Sequence, residues 1–157
     1  MVTWRLLASV AAVVLVAVYA AGSGRWVSTD SGWYASLAKP PWQPPDLVFG
    51  LIWPYNFLAL AIVGVVVAQR GSGAAVGAWL GIGAASVAAA LAWAYLFYVP
   101  HAFTGSAIAL TTAATLTFGL VAVTWTVTRG GAIALLPYLV WVWLATSLAW
   151  AYGSLNR

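Results

Sequence analysis

Apolar residues run along this chain in five long blocks, separated by segments that carry glycine, proline or charged residues. A helix needs about 20 mostly apolar residues to cross a bilayer, and each block reaches that length. The blocks predict spanning helices near residues 3–22, 45–68, 75–98, 103–127 and 132–154. Links of only a few residues connect the last four blocks, so these consecutive helices are expected to be antiparallel neighbours.

The composition places these helices in a membrane. Hydrophobic residues make up 64% of the 157 residues and charged residues only 5%, and no water-soluble domain of this size could bury so much apolar surface. We therefore predict a single domain, residues 1–157, that is an all-α, multi-pass integral membrane protein with a bundle of five transmembrane helices. The first block also follows the pattern of a signal peptide, with Arg5 before an apolar run, which leaves cleavage as an alternative.

The charged residues exclude several classes of function. The six cations lie at the predicted ends of the spans: Arg5, Arg25, Lys39, Arg70, Arg129 and Arg157. Such positions are typical of interfacial anchors and not of a nucleic-acid-binding stripe. Three cations fall on each side of the membrane, so the charge count does not orient the protein. With one histidine, two acids and no cysteine, the sequence predicts no metal site, no required cofactor and no hydrolytic chemistry.

Aromatic residues in three blocks form a candidate cluster. Phe49, Trp53 and Phe57 recur every four residues, so they share one face of a helix. At about 1.5 Å per residue, Trp53 lies ~12 Å into the membrane and Trp141 ~19 Å, deeper than the interfaces where tryptophan is common. Together with Trp93, Phe97 and Trp141, these residues form either a packed aromatic core or a flat aromatic cavity for a large planar hydrophobic molecule.

The link 23–44 is much longer than the others and carries Trp33, Tyr34 and Trp42. Asp30 or Ser31 can cap a short helix within it that places its aromatic residues on one face. This segment is either a lid over the aromatic cavity or an anchor on the lipid headgroups.

Two weaker patterns suggest interactions with other molecules. Gly77 and Gly81 form a GxxxG motif, which either packs the third spanning helix inside the bundle or joins two subunits. Leu148, Tyr152 and Arg157 fit a loose cholesterol-binding pattern, for which an ordinary interfacial helix end is the alternative.

The segment from Trp33 to Trp53 resembles a motif of the TspO/MBR family, the tryptophan-rich sensory proteins related to the mitochondrial translocator protein. The segment reads Trp33-Tyr34-x-x-Leu37-x-Lys39-Pro40-x-Trp42-x-Pro44-Pro45, followed by Phe49 and Trp53. The resemblance continues through Trp93 with Phe97 and through Pro137-Tyr138-x-x-Trp141-x-x-x-Ala145. It therefore covers nearly the whole chain.

This resemblance implies a five-helix bundle, often a homodimer, with a pocket under the first loop. The pocket would bind porphyrins such as protoporphyrin IX or haem-like tetrapyrroles and, in some members, sterols or drugs. The residues implied in ligand binding are Trp33, Tyr34, Trp42, Pro44, Phe49, Trp53, Phe57, Trp93, Phe97, Trp141 and Ala145. Ala90 and Ala149 stand where many members carry asparagine, which predicts weak binding of drugs that carry a carbonyl.

These observations lead to one predicted function and three alternatives. The prediction is a tetrapyrrole-binding membrane protein of the translocator or sensory type. Light-dependent porphyrin breakdown, reported for some members, is the first alternative, and it would make Trp53 and Trp141 catalytic. The others are a sterol or lipid binder and a structural scaffold without a small ligand.

Overall fold

The computed structural model describes residues 2–27 and 31–156. Within these ranges the chain forms six helices: α1 (Val2–Val27), α2 (Ser31–Ser36), α3 (Asp46–Arg70), α4 (Gly73–Tyr98), α5 (Phe103–Val127) and α6 (Arg129–Leu155). The five long helices are all long and apolar enough to cross a membrane. The predicted all-α, multi-pass bundle is thereby confirmed.

Helix α1 differs most from its predicted extent, because it continues to Val27 instead of ending near residue 22. Its Gly22-Ser23-Gly24 segment does not break the helix, and the Ser23 hydroxyl donates to the Tyr19 carbonyl at 2.7 Å. In lipid, a continued helix also satisfies the backbone groups that a loop would leave unpaired. The last turns of α1 thus join the bundle, and α2 is the short helix expected in the long link. Asp30, one of its two predicted caps, lies outside the described residues.

The helices pack in a closed arrangement in which α1 contacts α3 and α4, α4 contacts α5, α5 contacts α6, and α6 returns to α3. Small residues let the helix backbones approach closely at these contacts. Ala12, Ala113, Ala114 and Ala132, for example, have no exposed surface. The lid-side ends of α1, α3, α4 and α6 diverge around a cavity, whereas their opposite ends pack together.

The end of the bundle opposite the lid is tightly filled. Trp79 is buried, and its indole N–H donates to the Thr124 hydroxyl at 3.1 Å. Its ring lies so close to Gly64 that a Cβ there would be 2.7 Å from the indole. Arg5 donates from Nη1 to carbonyls at the end of α3, those of Ala68, Gln69 and Gly71. The guanidinium therefore satisfies acceptors that a helix end leaves free.

A pair of tyrosines lies between the two ends of the bundle. The Tyr138 hydroxyl of α6 donates to the Tyr19 hydroxyl of α1 at 3.4 Å, and both side chains are buried. Tyr19 packs edge-on against Trp53 and Phe57, with ring centroids 6.0 and 5.3 Å away. This tyrosine layer therefore packs behind two aromatic residues of α3, Trp53 and Phe57.

Candidate ligand-binding pocket

A cavity of about 280 Å³ lies between α1, α3, α4 and α6 at the lid side. This volume is near the lower end for small-molecule sites, about 300–1,000 Å³. Its walls are almost entirely aromatic, aliphatic or glycine, and carry no charged side chain. The lining residues are Ala20, Ser23, Gly24, Val27, Tyr34, Phe49, Trp53, Phe57, Trp93, Phe97, Tyr98, Trp141, Ala145, Leu148, Ala149 and Tyr152.

Most of the residues proposed for ligand binding meet in this one cavity. Those that line it are Tyr34, Phe49, Trp53, Phe57, Trp93, Phe97, Trp141 and Ala145. The remaining three, Trp33, Trp42 and Pro44, lie in the lid segment and do not line the cavity. The spacing of four residues along α3 explains why Phe49, Trp53 and Phe57 meet in the cavity, because it places three aromatic rings on one helix face.

The aromatic rings are arranged as flat walls at steep angles to one another. Trp53 stacks on Phe57 with ring centroids 5.3 Å apart and an interplanar angle of 25°. Trp141 stands edge-on to Trp53 at 6.4 Å and to Phe49 at 5.0 Å. Such pairs are favourable beyond the area they bury, and their faces can stack on a further ring system.

The indole N–H groups of the cavity lack protein acceptors. Neither Trp53 nor Trp141 makes a hydrogen bond through its ring nitrogen with any described residue, and the Trp93 nitrogen is buried without a partner. Buried tryptophan normally finds an acceptor, as Trp79 does with Thr124. The cavity wall therefore contains donors that the protein itself leaves unused.

The lid segment packs onto the bundle instead of lying free on its surface. Trp33 is held by aromatic rings at the ends of α4 and α5, and the ring of His101 stacks on it at 3.7 Å and 8°. Trp42 donates its indole N–H to the Ser147 hydroxyl at 3.2 Å. Tyr34 is the lid residue that reaches the cavity. Trp33 and Trp42 thus attach the lid, while Tyr34 contributes to the cavity wall.

The comparisons with known proteins agree with this architecture. The family model described as "TspO/MBR family" matches residues 9–155, which include all four spanning helices that line the cavity. The chain belongs to the TspO/MBR family. The predicted family is thereby confirmed.

Relatives in the TspO/MBR family include bacterial and animal proteins. "Protein CrtK" of Rhodobacter capsulatus is 29% identical over 150 residues, which cover 92% of this chain and 91% of that protein. "Tryptophan-rich sensory protein" of Cereibacter sphaeroides is 32% identical, over 79% of this chain and 77% of its own length. "Translocator protein" of Ovis aries is 33% identical, over 74% of this chain and 70% of its own.

Sequence reasoning missed one wall of the TspO/MBR cavity. Ala20, Ser23, Gly24 and Val27 of α1 lie on one helix face and line the cavity. Their spacing of three and four residues is visible in the sequence. This helix face was not predicted, because the first helix was expected to end near residue 22 and because small residues carry a weak periodic signal.

The cholesterol pattern does not lie on a lipid-facing surface in its described part. Leu148 and Tyr152 are 6% and 3% exposed and line the cavity, while Arg157 lies outside the described residues. Ala149 also lines the cavity, whereas Ala90 is buried in the core. The methyl group of Ala149 therefore borders the cavity at a position where an asparagine would present an amide.

The chemistry available in the cavity is that of a binding site. Among the described residues, no histidine, carboxylate or thiol lines it, and these residues contain no cluster of three such metal-ligating side chains. The described wall offers stacking surfaces, shape and a few hydroxyl and indole donors, an arrangement that can hold a flat apolar molecule.

Proposed function

We propose that this protein binds a planar tetrapyrrole such as protoporphyrin IX in the cavity beneath the lid. The observation that carries the proposal is the lid-covered aromatic cavity whose indole donors have no protein acceptor. A macrocycle stacked on one of the flat walls, such as the face of Trp53, covers apolar surface and meets Trp141 at a steep angle. Its polar substituents supply acceptors for the indole N–H groups.

The names of the relatives suggest how such binding is used. A sensory or translocator role follows if the protein holds the tetrapyrrole and then passes it on. The described part of the cavity wall consists of apolar, aromatic and hydroxyl side chains, which supports binding or transfer over acid–base catalysis. Because the wall offers no imidazole or thiolate, metal-free and metal-containing tetrapyrroles are expected to bind through the macrocycle and not through the metal.

A titration of purified protein with protoporphyrin IX, in the dark and under illumination, tests this function. Binding predicts a red-shifted absorption band in the dark that is stable under light. Bleaching only in the presence of protein would favour the degrading alternative, in which Trp53 and Trp141 act photochemically. Displacement of bound porphyrin by cholesterol would indicate a shared sterol site. An unchanged spectrum at saturating porphyrin would refute the proposal and favour a scaffold.

We also infer that two copies associate through the outer face of α4. Gly77 and Gly81 are exposed, and a Cβ at either position meets no atom within 4 Å. The opposite face of α4 already packs against α1 and α5, so the GxxxG face is left for a contact outside the subunit. A closely approaching second helix of the same kind is the occupant that this motif fits.

The substitution Gly81→Leu tests the homodimer. It fills the close-approach surface and is expected to shift the protein to monomer in mild detergent, measured by light scattering during size-exclusion chromatography. Ala122→Leu, on the exposed face of α5, is the matched control and should leave the dimer intact. A monomeric wild type, or a dimer that survives Gly81→Leu, would exclude this interface.

A further inference from the structure

The loop that follows α2 is tied to the end of α6 by side-chain hydrogen bonds. Asn156 accepts from the Ala38 N–H at 2.8 Å and donates to the Ala38 carbonyl at 3.1 Å. One amide thus pairs with both backbone groups of one lid residue. Ser147 adds a third contact by accepting from the Trp42 indole at 3.2 Å. We call residues 38–43 the strap.

Tyr152 of α6 completes a ring of hydrogen bonds with Gln43 of the strap and with Tyr34. The Tyr152 hydroxyl donates to Gln43 Oε1, and Gln43 Nε2 donates to the Tyr34 hydroxyl at 3.3 Å. The two tyrosine oxygens are 3.0 Å apart. Each hydroxyl has one proton, so Tyr34 must be the donor across that last contact. Each donor in the ring then has its own acceptor.

The other attachment of the lid is different in kind. Trp33 is wedged between the rings of Phe97, His101 and Phe103, all of which belong to the ends of α4 and α5 and their link. These ring contacts hold Trp33 at a point outside the strap. Asn156 is half-buried, and Trp42 is 52% exposed. Water can therefore compete for the strap contacts more readily than for the Trp33 socket.

We propose that the end of α6 is a latch: Ser147, Tyr152 and Asn156 hold the strap, and their release opens the cavity. The strap is joined through Gln43 to Tyr34, which lines the cavity. The strap swings about the Trp33 socket, and Tyr34, which lines the cavity, moves with it. The latch fixes the rate at which molecules enter and leave the cavity. The identity of the ligand that enters and leaves rests on the proposed function. The opening itself is a property of the lid and does not depend on that function.

A single reporter thiol measures opening without any ligand. The chain contains no cysteine, so Ala145→Cys places the sole thiol on the cavity wall. Its labelling by a charged, water-soluble methanethiosulfonate, with the protein in nanodiscs, reports how often the mouth opens. In the Ser147→Ala/Asn156→Ala background, three hydrogen bonds to the strap are lost. At roughly fivefold per bond, labelling should accelerate about 100-fold at unchanged pH.

The matched control is Ser154→Ala, whose hydroxyl donates only to Ala151 within α6 and which should leave labelling at the parent rate. Equal labelling in the latch variant and the parent would overturn the latch, as would an equal acceleration by Ser154→Ala.

Porphyrin exchange in the same latch background, without the reporter, provides a second readout. Exchange should accelerate together with labelling, and faster labelling with unchanged exchange would overturn the gating role. Absence of porphyrin binding in wild type would refute the proposed function, while thiol labelling would still decide the latch.

Discussion

Tryptophan has two different roles at the two ends of this bundle. At the closed end, Trp79 is sealed between helices and donates to Thr124. At the lid end, Trp53, Trp93 and Trp141 line a cavity and have no acceptor for their indole N–H among the residues that the structure describes. All four residues lie within apolar spanning helices. The difference teaches that a buried tryptophan has a structural role where a hydroxyl accepts from its indole N–H and neighbouring side chains pack closely around it. Its depth in the membrane does not decide that role.

The largest expected effect concerns stability. Trp79→Ala should cost about 3–5 kcal/mol, since it leaves a large cavity and removes the hydrogen bond that the Thr124 hydroxyl accepts. Trp53→Ala should cost less, about 1–2 kcal/mol by the same scale, because its ring already borders a cavity. Reversible unfolding in detergent micelles, with either variant compared to wild type, measures both losses. Equal costs would mean that the two ends are packed alike.

The second prediction concerns affinity for protoporphyrin IX. Loss of one stacking wall is expected to weaken binding about 5- to 150-fold, for Trp53→Ala and for Trp141→Ala alike. Trp53→Phe keeps a stacking ring and should bind nearly normally, yet it removes the oxidisable indole that light-dependent breakdown would use. Fluorescence titration of the porphyrin measures all three variants.

The control for these affinities is Trp125→Ala, which removes an indole that is 50% exposed and does not line the cavity. Binding by this variant should match wild type. If both cavity alanine variants also bind as tightly as wild type, the tetrapyrrole site is elsewhere and these tryptophans are core residues.

The third prediction compares two glycines on α3. A Cβ at Gly64 would lie 2.7 Å from Trp79 and 2.8 Å from the Ala12 methyl, whereas a Cβ at Gly50 meets nothing within 4 Å. Gly64→Ala should therefore destabilise by about 1–3 kcal/mol. Gly50→Ala should stabilise by about 0.5–1 kcal/mol through helix propensity. Thermal unfolding of the two variants measures both effects. A change of the melting temperature in the same direction for both variants would contradict the contrast in packing.

The smallest effect concerns a polar residue on the core face of α3. Asn56 has no exposed surface, and neither its amide nitrogen nor its amide oxygen has a hydrogen-bond partner. Asn56→Leu removes that unpaired amide at similar volume and should stabilise the fold by about 1 kcal/mol. The measurement is again reversible unfolding. Destabilisation would reveal a partner for the amide, such as a bound water.

The sequence was sufficient for the fold because block length alone identifies membrane spans. It also indicated the cavity face of α3, since a period of four residues places Phe49, Trp53 and Phe57 together. No comparable periodic pattern in the sequence indicates the contacts of the lid. Asn156 and Ala38 are 118 residues apart in the chain, and nothing in their neighbourhoods signals that they pair. Stacking of His101 on Trp33 likewise depends on where two helix ends meet, which periodicity does not specify.

The bond from Arg5 to the end of α3 has a consequence for assembly in the membrane. Arg5 precedes Ala68 by 63 residues, so a growing chain presents the guanidinium long before its acceptor carbonyls exist. The contact can form only when α3 has crossed to the same interface and stops at the matching depth. An α3 that inserted one turn too deep or too shallow, about 5.4 Å, would miss it. The Arg5 contact therefore ties the vertical register of α3 to that of α1.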